Sequence, residues 1–126
     1  MNEVLVRLEK IYWQQLEIYD QVLELAEQAA RSARERHSLQ ELDVLLAQKR
    51  RLLNEIDRLD ALAAPDRLWW KQDGRSVSDT SKLQRPLADA ARRIEQILER
   101  EREMERWILA PVDDDRTLQA NTEAGD

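Results

Sequence analysis

His37 is the only histidine in the chain, and no cysteine accompanies it. Disulfides, thiolate metal sites and cysteine nucleophiles are therefore absent. A di-metal site of the four-helix kind needs Glu-x-x-His on its helices, but Arg34 stands three residues before His37, so the nitrogen ligands are missing. Carboxylates are plentiful, yet only Glu101 falls on an apolar row, between Ile94 and Ile108. A single carboxylate at such a position fixes register or turns to solvent, and is poor material for general acid catalysis. With only two glycines, Gly74 and Gly125, there is no phosphate-cradling loop. The expectation is a protein that is not an enzyme and carries no metal or cofactor.

What the residues do supply is surface for contact with other helices. Trp69 and Trp70 are adjacent, so both can be buried only if enclosed from two directions, and one is expected to anchor its segment to the body. Trp13 and Trp107 lie at the margins of apolar stripes, where tryptophan serves equally as a docking residue or as packing against a second chain. The last amphipathic stretch is the most suggestive. Its stripe thins through LEREREMER to Met104, then Trp107, Ile108 and Leu109 restore it. An apolar stripe renewed at a helix end suits a partner helix, and the candidate contact residues are Ile94, Ile97, Leu98, Met104, Trp107 and Ile108.

These residues must be held by helices, since the chain is 42% hydrophobic and 37% charged with only three prolines. From residue 2 to 36 the rows Val4/Ile11/Ile18/Leu25, Leu5/Tyr12/Tyr19/Ala26 and Leu8/Val22/Ala29 make one amphipathic face, so a single long helix is predicted. Over that length it would outrun its neighbour, so part of it must overhang or meet something else. Ala26, Ala29, Ala30 and Ala33 form an end that another helix can approach closely. Ser38 and Glu41 form a capping box that starts a second helix over 38–63, whose stripe of Leu39, Leu42, Leu45, Leu46, Leu52, Leu53, Ile56, Leu59 and Leu62 is wide enough for more than one neighbour. The short link around His37 makes the two an antiparallel hairpin. Pro65, the Asp73-Gly74 turn and the polar run Ser76 to Ser81 mark a connector over 64–85, and Pro86 fits the first position of a third helix over 86–109. Pro111 ends it, and residues 111–126 read as a disordered acidic tail. The fold class is all-α: an antiparallel three-helix bundle, or an elongated hairpin with a C-terminal amphipathic helix, as one domain over 1–110.

The net charge of −6 is concentrated at the end, where five carboxylates against Arg116 place −4 in the last fourteen residues. Elsewhere the basic residues are interleaved with acids, as in Asp89 with Arg93, which describes solvated helix faces and argues against nucleic acid as a partner. No run reaches the roughly 20 apolar residues of a membrane span, and MNEVLVRLEK lacks the form of a signal peptide. A soluble cytoplasmic protein is expected.

The segment Leu45 to Asp60, LLAQKRRLLNEIDRLD, resembles flagellar type III export chaperones of the FlgN and FliT kind. It has paired leucines, a basic turn, a second leucine pair and an Ile-Asp-x-Leu end. The layout of long first helix, hairpin, polar break and amphipathic last helix is similar too. The resemblance implies a cytoplasmic, non-enzymatic chaperone in bacterial flagellum assembly that binds the terminal helix of hook-filament junction, cap or related filament subunits before type III secretion. The competing reading from the same stripes is a homodimeric coiled-coil scaffold or regulatory adaptor with no export client.

Overall fold

The computed structural model describes residues 3–36, 38–74 and 81–110. Three helices account for nearly all of them: α1 (Glu3–Arg34), α2 (Leu39–Trp69) and α3 (Ser81–Leu109), with a π-helical turn over Trp70–Gly74 continuing α2. The chain is all-α, as its periodicity requires, and the helices form an up-down-up bundle. Arg7 meets Asp66 and Ser32 meets Glu41, so α1 and α2 run antiparallel. Asp20 meets Arg93 and Arg34 meets Glu103, so α1 and α3 run parallel.

The helix ends have visible causes. Ser38 is extended (φ −63°, ψ 149°), and its hydroxyl accepts the Glu41 backbone N–H at 3.2 Å, the serine half of the expected capping box. α1 stops without a glycine. Arg36 takes the left-handed conformation (φ 60°) that usually falls to glycine after a helix, and its guanidinium reaches the Trp107 carbonyl at 3.4 Å. His37 lies outside the described residues.

Three sequence expectations are corrected. α2 does not stop before Pro65 but carries it internally, so 64–74 is helical and not connector. The loss of one backbone hydrogen bond is offset by packing on both sides of it. Ala63 is fully buried, Asp66 takes both nitrogens of Arg7 at 2.9 Å, and Trp70 packs on the first core cluster. α3 likewise begins at Ser81, five residues before Pro86, because Leu83 and Pro86 are both buried on the bundle. Only 75–80 of the expected connector remains, outside the described residues, as does the tail 111–126. Finally, α1 does not overhang: at 32 and 31 residues, α1 and α2 are matched at ~45–50 Å each.

The core lies along α1. One cluster joins Leu5, Leu8 and Tyr12 to Ala63 and Leu83, and another joins Val22 and Ala26 to Ile97. Between them sits buried Gln15, whose amide donates to the Ile56 carbonyl at 3.3 Å and to Asp60 Oδ1 at 2.8 Å. Ala26, Ala29, Ala30 and Ala33 are all buried, which makes the alanine-rich end the closely packed part of the bundle. Burial raises the Tyr12 and Tyr19 phenols above their ordinary pKa.

The Arg7 pair gives a pH signature. Its hydrogen bonds hold the Asp66 carboxyl below the usual carboxylate range. A carboxyl depressed by folding stabilises above its unfolded pKa, and that contribution is lost as pH falls through the folded value. Stability of the wild type should therefore drop more on acidification than that of Arg7→Gln, with the two urea midpoints converging at low pH. Parallel pH profiles would show that the pair contributes nothing.

Candidate docking face

α1 packs along both other helices, whereas α2 and α3 have no comparable contact with each other. The ion pair between Lys49 of α2 and Glu101 of α3 reaches across the gap. Burial pulls the Lys49 ammonium below its ordinary pKa. This pair also orients α3. Glu101 shares its seven-residue row with Leu87, Ile94 and Ile108, so that row flanks the α1 contact on the side of α2.

The six candidate contact residues divide accordingly. Ile97 is 7% exposed and belongs to the core cluster with Val22 and Ala26, so it holds the fold and is not available to a partner. Ile94, Leu98 and Ile108 are 37%, 45% and 46% exposed on the open side, with Leu87 continuing the stripe toward the start of α3. Met104 and Trp107 are half-buried and lie away from this stripe. Met104 shares the seven-residue row of buried Leu83 and Ile97, and Trp107 that of buried Pro86 and of Arg93, which pairs with Asp20 of α1. From Leu87 to Ile108 the stripe spans ~32 Å at 1.5 Å per residue, the length of a helix of about 20 residues. On α2, Leu53 is also exposed and Leu46 half-buried, one turn from Lys49. The wide stripe of α2 thus has fewer neighbours than its sequence could accommodate.

Of the other tryptophans, Trp70 anchors its turn to the core, with its indole N–H buried and lacking an acceptor among the described residues. Trp69 is half-buried, and Trp13 is exposed with its N–H on Glu9 at 3.2 Å. Among the described residues no three histidine, aspartate or glutamate side chains converge as a metal-binding group, and no helix is long and apolar enough to cross a membrane.

Sequence reasoning passed over Gln15 and Lys49. Each interrupts a buried heptad row, Leu8/Gln15/Val22 and Leu42/Lys49/Ile56, and a lone polar residue at such spacing is the signal that would have found them. No family model, curated protein or solved structure matches this chain.

Truncation separates the two classes of α3 residue. Ile97→Ala should lower the unfolding free energy by about 2–5 kcal/mol through cavity formation. Leu98→Ala and Ile108→Ala should each change it by less than about 1 kcal/mol. Urea denaturation of the three variants checks the division, and equal losses at all three sites would mean that the open stripe is core.

Proposed function

We propose that this chain is a non-catalytic helix-binding chaperone whose α3 face takes an amphipathic helix of another protein. The observation that carries the reading is the division within α3. Leu83, Pro86 and Ile97 are buried on α1, while Ile94, Leu98 and Ile108 form a second apolar row that nothing in the chain's described part covers. A free row about 20 residues long beside a parted α2 suits a helix-in-groove mode, in which the partner's own apolar face is hidden and its premature association delayed.

The resemblance of Leu45–Asp60 to the FlgN and FliT kind supports a specific class of client: the terminal helix of flagellar junction, cap or filament-related subunits, held in the cytoplasm before export. Calorimetric titration with such terminal peptides tests this. Binding in the micromolar range or tighter is expected, with a loss of at least ~100-fold in Leu98→Asp/Ile108→Asp, since two buried carboxylates would each cost several kcal/mol. Circular dichroism should show the variant's helices unchanged. Absence of binding to every peptide by the folded wild type would reject the client class, and binding that survives the double substitution would reject the face.

A further inference from the structure

The seam between α2 and α3 has a charged residue at the same level on both sides. On α2, Lys49 stands between Leu46 and Leu53, and on α3, Glu101 stands between Ile94 and Ile108. Each interrupts an apolar row, and the two meet each other. Among the described residues theirs is the one ion pair that joins these helices, since the other interhelical pairs all run to α1. Their side chains are 16% and 30% exposed, so both give up water to make the contact.

An ion pair so placed adds little cohesion. Apolar side chains at both positions would make the two rows continuous, and exchanging a partly buried pair for apolar packing is commonly neutral or stabilising. What apolar side chains would not do is keep the helices at this spacing. A lysine and a glutamate meeting end to end reach ~3–4 Å further than two leucines, and helices lined by interdigitating aliphatic side chains close to ~8–10 Å between axes. Here α2 and α3 each pack along α1 and scarcely touch one another. Leu53, Ile94 and Ile108 are exposed and Leu46 is half-buried, so the apolar material for a closed seam is present and unused.

We propose that Lys49 and Glu101 form a strut, a conformational device that keeps α2 and α3 apart and thereby keeps both apolar rows open. Closing the seam would roll α3 about α1 until Ile94 and Ile108 met Leu46 and Leu53. The ammonium and carboxylate would then be driven into the apolar seam or pulled from each other, and either course leaves charge without water or partner. Burial already holds the Lys49 ammonium below its ordinary pKa, so further desolvation adds to an existing cost. The strut concerns how the seam is held, and it stands whether or not a partner helix occupies the open rows.

The chain has no cysteine. Spin labels at Asn54→Cys on α2 and Gln96→Cys on α3, both exposed positions, therefore read the spacing by pulsed electron resonance. Lys49→Leu/Glu101→Leu leaves the net charge unchanged and should shorten the distance by ~3 Å as the rows close on each other. It should also bind less of a hydrophobic dye, with a urea midpoint equal to or above that of the wild type. Lys49→Glu/Glu101→Lys restores a pair of the same reach, and should keep the wild-type distance and dye binding. A pair that merely fastened the helices together would give the reverse in the leucine variant: a longer or broader distance distribution and more dye bound. That result, an unchanged distance in the leucine variant, or a shortened one in the swapped variant would each overturn the proposal.

Discussion

α1 is the only helix that packs along both of the others, and the rest of the bundle depends on how its surface is divided between them. Leu8, Val22 and the buried alanines lie toward the middle of the shared face, with α2 and α3 to either side. Small side chains there permit close approach but bury little area, so apolar stabilisation is concentrated in two modest clusters and not in one continuous core. Gln15 occupies the space between the clusters. Its amide donates to a backbone carbonyl and a carboxylate on α2, and shifting α2 by one turn would leave the buried Gln15 amide without these acceptors. An interior glutamine in this position sets register more than it adds stability.

The seams between helices are drawn by charge. Arg7 with Asp66 and Lys49 with Glu101 tie α2 into place, while Asp20 with Arg93 and Arg34 with Glu103 tie α3 to α1. Ion pairs this exposed contribute little each, and Lys49 is partly desolvated besides. Their collective effect is to make one alignment of three similar helices better than its neighbours. Two helices held to a common third, and barely to each other, leave apolar rows beside their contacts with it.

The two open surfaces differ in what they ask of a partner. The α3 stripe is apolar at Leu87, Ile94, Leu98 and Ile108 and is interrupted by Glu101, which Lys49 engages, and by exposed Glu105. The groove between α1 and α2 is edged on α1 by charges that alternate in sign, from Glu3 through Arg7, Lys10, Glu17 and Glu24 to Arg31.

Much of the fold was legible in the sequence. The three-and-four spacing of leucines gave three amphipathic helices, Ser38 marked the start of the second, and the short link made a hairpin, because these are local features of backbone and side-chain geometry. The sequence also marked the α3 stripe as apolar. It could not say which of Ile94, Ile97 and Leu98 would be buried, since all three lie on one broad stripe and only the position of α1 decides that Ile97 turns inward. Pro65 and Pro86 misled for the same reason. Proline's local cost is fixed by its ring, but burial of Ala63, Leu83 and Pro86 against α1 comes only with the assembled bundle and outweighs it. Periodicity along one chain determines which faces are apolar. Only tertiary packing decides which of them are covered, because covering a face requires a neighbour whose distance and angle no local pattern encodes.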